Sequence, residues 1–360
     1  GVSLLMLFAL YYKCLKSDIF IQINYVKLTL FLLFLYGSFS LIWSVNIDFA
    51  IGKWLLWLIA LFSFILSLNL SLSNENIIKL SWGLVISGGV IALIGLIQRY
   101  SIYPLSITQA AWPASTFGNK NMAAQVLVLI FPISIFLFFS EQVNEKKTWI
   151  LGFITSLIVS YIAFAESRAA WLSISIEILL ILIYFLIKRK NSSISITWNK
   201  NNFFPIFMTI LLILILTNIS SNFKFFDDSS AGIQIIERIN STGSSLDNSS
   251  IQRFQIWNTA LQMLYDSPFI GTGLGSYAQN LANEGYATWT INNTMRVHND
   301  MLELSVELGL IGIIIFAAAV ISITISTVAI LKKTSGEIHF FFLIISISLA
   351  GSFLNLQFSF

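Results

Sequence analysis

Met295-Arg-Val-His-Asn-Asp-Met-Leu-Glu-Leu-Ser-Val-Glu-Leu-Gly-Leu-Ile-Gly312 is the stretch that sets the reading of this chain. Its polar half holds His298, one of two histidines in the protein, beside Arg296, Asp300, Glu303 and Glu307. Its apolar half opens a run over 308–331, more than the roughly 20 residues that carry a helix across a bilayer. Ionisable groups are costly at a bilayer edge, and groups kept there tend to serve a function. Glu303 and Glu307 are four residues apart, hence on one helical face, and acidic residues this early also complement a helix N-terminus.

The rest of the chain is just as apolar. Of 360 residues, 56% are hydrophobic and 10% charged, against about 25% charged in soluble domains. Long apolar runs recur at 2–12, 26–44, 51–72, 77–97, 122–140, 148–165, 169–187, 203–219, 308–331 and 338–357. Because lipid offers no partner to unpaired backbone groups, this reads as an all-α polytopic membrane protein with about ten transmembrane helices. The chain opens on Gly1 rather than Met and carries no signal-peptide pattern, so the first span reads as clipped by an N-terminal truncation.

Composition removes several function classes. A single cysteine, Cys14, leaves neither a disulfide framework nor a cysteine metal cluster. His298 and His339 are expected on opposite sides of the membrane, so no transition-metal site and no cofactor is expected, while a hard-cation site on Asp and Glu stays open. The net charge of +3 is spread over short loops, which argues against nucleic acid.

Three segments follow: a transmembrane helical bundle over 1–219, a large loop over 220–302, and C-terminal transmembrane helices over 303–360. The loop begins with a Ser/Asn/Asp/Gly-rich stretch over 227–250, expected to be flexible. From Ile251 to Tyr265, Ile256, Ala260 and Leu264 recur at helical spacing beside Phe254, Trp257 and Leu261, an amphipathic helix suited to a membrane face. Asp266-Ser-Pro268 stops it, and Gly271-Thr-Gly-Leu-Gly-Ser-Tyr277 makes a tight turn. With no strand before those glycines and no lysine after them, they are not a phosphate loop.

Placing Lys188, Arg189 and Lys190 in the cytoplasm puts twelve of the 20 Lys and Arg inside and eight outside, as the positive-inside rule asks. Arg168, Arg253, Arg296 and His298 then share the outer face. Guanidinium forks suit phosphate or carboxylate, and an imidazole titrates near neutrality, so an anionic ligand at that face is one reading. Plainer readings stand beside it. Arg168 also fits a snorkelling anchor, Arg253 a solvated helix face, and His298 a helix-start residue bonded to Asn299 or Asp300.

Taken together, four pieces resemble the O-antigen ligase/polymerase family of bacterial membrane glycosyltransferases. They are Thr116-Phe-Gly-Asn-Lys-Asn-Met-Ala-Ala124, Ser167-Arg-Ala-Ala-Trp171, the segment from Arg253 to Tyr277, and Arg296-Val-His-Asn-Asp through Gly312. The resemblance covers roughly 115–315. It implies an all-helical, GT-C-like enzyme in the bacterial inner membrane, multi-pass, with its large loop and active site facing the periplasm. It implies transfer of a glycan from undecaprenyl pyrophosphate to an acceptor hydroxyl by a metal-independent, inverting route. His298 would be the base or positioning group for the acceptor hydroxyl, and Arg168 and Arg253 would hold the pyrophosphate. Arg296, Glu303 and Glu307 would support the catalytic groups or orient the acceptor, Asn299 would bind substrate, and Asn119 and Asn121 would bind sugar or cap the following helix.

The implied partners are the lipid-linked donor, a lipid A-core or growing-glycan acceptor, and membrane lipids. Ligase and O-antigen or exopolysaccharide polymerase both fit, as does a protein O-oligosaccharyltransferase. Family members labelled bicarbonate transporters supply a different class, an inorganic-anion carrier. A carrier should place charges or broken helices near the bilayer midplane. The spans here read as nearly charge-free, which favours the enzyme.

Overall fold

A computed structural model describes residues 24–67, 73–100, 113–140, 145–190, 204–218, 248–283 and 296–358. Every regular element among them is helical. In order they are α1 (Tyr25–Phe39) with a 3-10 turn (Ser40–Trp43), α2 (Ile47–Ser67), α3 (Asn74–Arg99), α4 (Lys120–Phe138), α5 (Glu145–Phe164), α6 (Arg168–Lys190), α7 (Phe204–Asn218), α8 (Asn248–Asp266), α9 (Tyr277–Asn283), α10 (Asp300–Lys333) and α11 (Gly336–Phe358). Eight of these, α1 to α6 with α10 and α11, are long and apolar enough to cross a membrane, and α7 is a shorter apolar helix. The protein is therefore an all-α, multi-pass membrane protein. The expected first span, 2–12, and the polar stretch over 227–247 lie outside the described residues.

Helix starts come earlier than hydropathy alone places them, because polar caps precede the apolar runs. Asn24 Oδ1 accepts the Lys27 amide at 3.0 Å, and Asn46 Oδ1 accepts those of Asp48 and Phe49 at 2.9 and 3.2 Å. Each cap satisfies amides that have no partner within the helix. So α2 opens at Ile47 rather than 51, which places Lys53 beyond its first turn rather than at its start.

The chain forms two compact units, Gly1–Leu72 with Asn248–Ala329, and Ser73–Asp247 with Ile330–Phe360. In the first, α1 packs on α2, and a small core of Ile256, Ala260, Met263, Tyr277, Leu281, Val297 and Val306 joins the amphipathic helix to the start of α10. In the second, α4 lies against α3, α5 and α11, while α6 packs on α11 and α7 on α5. Aromatic and aliphatic side chains such as Leu127, Phe136, Ile158 and Ile344 fill its centre.

Candidate functional site

α10 is not one helix. At Gly309 the backbone turns to φ 62°, ψ −166°, which divides a nine-residue entry helix from the apolar helix that follows. Such a break strands carbonyls on one side and amides on the other, and these need partners in a membrane. The segment after α8 supplies them. Thr272 and Gly273 donate their amides to the carbonyls of Val306 and Glu307 at 2.9 and 2.8 Å, and the Tyr36 hydroxyl donates to that of Leu308 at 3.1 Å. Across the break, the amides of Leu310 and Ile311 donate to Pro268 and Phe269 at 2.8 and 3.2 Å. The glycine-rich turn read from the sequence is thus a splice that completes a broken helix.

His298 stands just before the entry helix. Asn299 caps that helix, its Oδ1 accepting the Leu302 amide at 3.0 Å. His298 itself holds φ 59°, a left-handed conformation that costs a non-glycine residue on the order of 1–3 kcal/mol and persists only where neighbours impose it. Two neighbours do so through Val297, which is fully buried. The Trp257 indole of α8 donates to the Val297 carbonyl at 3.2 Å, and the Val297 amide donates to Glu303 Oε2 at 3.2 Å. Burial holds the His298 imidazole below its ordinary value, and the positive field of Arg253, with a smaller one from Arg296, adds to this against an opposing pull from Glu303. Both effects favour the neutral ring.

Glu303 and Glu307 do lie on one face, and what meets them there is Lys53 of α2. Its Nζ is 2.8 Å from Glu303 Oε1 and 2.7 Å from Glu307 Oε2. Arg296 approaches Glu303 Oε1 at 3.5 Å, and the Gly275 amide donates to Glu307. Both carboxylates are buried. Beside this cluster opens a cavity of about 480 Å³, lined by Lys53, Arg296 and Glu303 together with Phe49, Leu56 and Tyr277.

Of the residues singled out in the sequence, His298, Arg253, Arg296, Asn299, Glu303 and Glu307 all belong to this unit. Arg168, Asn119 and Asn121 belong to the other. There Asn119 caps α4, its Oδ1 accepting the Asn121 amide at 2.8 Å. The α5–α6 corner carries Glu166, which pairs with Arg99 at 2.7 Å and Lys120 at 3.7 Å, two residues before Arg168 opens α6. Among the described residues, no group of three or more His, Cys, Asp or Glu is placed to hold a metal ion.

Charged residues stand inside the spans. Lys53 sits in α2, and Glu177 sits near the middle of α6 with neither carboxylate oxygen bonded among the described residues. Lys53 was legible as a lone cation in an apolar run, the kind of residue that membrane helices keep for a reason. Its partners, 250 and 254 positions away, were not.

Residues 151–317 match the model of the family described as O-antigen ligase. A curated relative, the ComP-specific O-oligosaccharyltransferase of Acinetobacter baylyi (strain ATCC 33305 / BD413 / ADP1), is 26% identical over 223 residues, 61% of this chain and 37% of that protein. The chain thus spans little more than a third of that relative's length.

Proposed function

Because residues 151–317 match the O-antigen ligase family model, we propose that this chain is a membrane glycosyltransferase of that family whose base is His298. The donor is a glycan on a lipid pyrophosphate, undecaprenyl pyrophosphate by resemblance, and the reaction proceeds at the periplasmic face of the inner membrane. The observation that carries the reading is the left-handed His298 turn, held from both sides at Val297 and kept neutral by burial and by Arg253.

In the proposed step, His298 takes the proton of the acceptor hydroxyl, and that oxygen attacks the anomeric carbon of the glycan. The bond from that carbon to pyrophosphate breaks, with inversion, and the pyrophosphate leaves with the electron pair. A positioned imidazole contributes about 10²–10⁴-fold. Arg253 serves twice in this scheme. Its charge stabilises the leaving anion, and the same charge keeps His298 unprotonated. Arg168 is proposed, from the resemblance alone, as a further pyrophosphate ligand. The cavity beside Lys53, Arg296 and Glu303 is of ligand size and pairs charged groups with two rings, which suits the sugar hydroxyls and apolar ring faces of an acceptor.

The break in α10 and the Lys53 cluster lie within the first three turns of α10, beside this turn, so they support a site at the helix mouth. Glu177 plays no part in the scheme. A protein hydroxyl is a second acceptor class, considered because the Acinetobacter relative is an O-oligosaccharyltransferase.

The test is expression in cells lacking their own O-antigen ligase and polymerase. Glycan appearing on lipid A-core identifies a ligase, a ladder of lengthened glycans a polymerase, and glycan on a co-expressed pilin a protein transferase. None of these, with the protein present in the membrane, overturns the reading.

A further inference from the structure

We propose that Lys53 is a positioning residue for His298, acting through Glu303. This rests on the reading of His298 as the base. Lys53 Nζ holds Glu303 by one oxygen at 2.8 Å, and the other oxygen of Glu303 accepts the Val297 amide at 3.2 Å. Val297 is the residue before the left-handed His298, and its carbonyl takes the Trp257 indole proton. With its N–H and its C=O both anchored, Val297 fixes the peptide units on either side of it, so the turn that follows is aimed. Removing Lys53 leaves Glu303 with Arg296 as its nearest cation, at 3.5 Å and on a side chain 59% exposed. The carboxylate is then drawn toward that exposed group, and the Val297 anchor loosens.

Lys53 also reaches Glu307 at 2.7 Å, which ties α2 to the last turn of the entry helix before the Gly309 break. One ammonium thus bridges α2 to two carboxylates, Glu303 and Glu307, of the half-helix that carries the site. Because a misplacement of about 1 Å at a reacting group costs on the order of 10²-fold in rate, loss of this bridge falls on kcat. The groups whose charge faces His298 are Arg253 of α8, Arg296 of its own loop, Glu303 of α10, and Lys53 through Glu303.

The experiment compares wild type, Lys53→Met, Lys53→Arg, Lys53→Met with Glu307→Gln, and Glu303→Gln in nanodiscs. Undecaprenyl-pyrophosphate glycans and acceptor extracted from the native host serve as substrates. Lys53→Met should lower kcat about 10²-fold with acceptor KM changed less than about threefold. Lys53→Arg should restore most of it. The double variant, which buries one carboxylate fewer, should fold as wild type and stay slow. In parallel, the protein holds only two histidines, so ¹³C-labelled imidazole resonances in a His339→Gln background report on His298 alone. Glu303→Gln should move the His298 titration to lower pH, because Glu303 favours the protonated ring. Lys53→Met should broaden or split the His298 resonance.

A Lys53→Met variant with raised KM, unchanged kcat and a single sharp wild-type resonance would make Lys53 an acceptor ligand and overturn the inference. A wild type without transfer overturns the function proposed above, and the catalytic part of this inference falls with it. The resonances still decide whether Lys53 and Glu303 fix the turn.

Discussion

Gly271 and Gly309 meet backbone against backbone. A Cβ on Gly309 would lie 2.5 Å from the Gly271 nitrogen, and one on Gly271 would lie 2.5 Å from the Gly309 nitrogen. Both residues hold positive φ, 69° and 62°. Two strands of chain separated by nearly forty residues can only approach this closely if neither carries a side chain, and the broken α10 depends on that approach for its backbone partners.

Gly309→Ala and Gly271→Ala should therefore each destabilise the protein by about 3 kcal/mol or more, combining left-handed strain with a clash against backbone that cannot move aside. Gly83→Ala is the control. Nothing lies within 4 Å of its Cβ, and alanine in a helix is favoured over glycine by roughly 1 kcal/mol. Melting temperatures in detergent read both, and a Gly309→Ala protein that melts with wild type would refute the splice.

Transfer should persist below pH 6.5. Burial and Arg253 lower the His298 value, so the neutral base survives to lower pH than an ordinary imidazole would allow. Arg253→Gln removes a charge that disfavours the protonated ring, and the acid limb of the pH–rate profile should move up in pH as the rate drops. An acid limb that moves down, or stays fixed, contradicts the coupling between these residues.

Asn119 separates capping from sugar binding. Serine caps a helix about as well as asparagine, whereas alanine costs roughly 1 kcal/mol. If the cap seen at 2.8 Å is its whole role, Asn119→Ser keeps both melting temperature and kcat/KM. Lost activity at unchanged melting temperature would assign Asn119 to a substrate.

Glu177 is fully buried, and a Cβ on Gly351 would sit 2.0 Å from its Oε1. Replacing unpaired buried polarity by an apolar group of similar volume is often neutral or stabilising. Glu177→Met should hold or raise the melting temperature, while Gly351→Ala should lower it by several degrees. A marked loss in Glu177→Met would mean that the carboxylate has a partner in the membrane.

Much of this was legible in the sequence. Apolar runs located the membrane helices because lipid enforces them, and the 3.6-residue period of Ile256, Ala260 and Leu264 located the amphipathic helix. Asp266-Ser-Pro marked its end. The cap residues Asn119 and Asn299 could be read either way, since the same side chain serves a helix amide and a sugar. What stayed hidden was non-local. Gly309 looks like an ordinary helix glycine until the loop from Pro268 to Gly273 is seen to fill its missing bonds. Lys53 looks like a topology charge until Glu303 and Glu307 are seen to share it. Neither signal has a period, so hydropathy and spacing could not report it.

The most direct measurement is single-turnover glycan transfer by purified wild type, His298→Ala and Arg253→Ala in nanodiscs, each with melting temperature checked. The account predicts wild-type transfer and a fall of at least about 10²-fold in chemistry for His298→Ala at unchanged stability. Transfer by His298→Ala at the wild-type rate would contradict it.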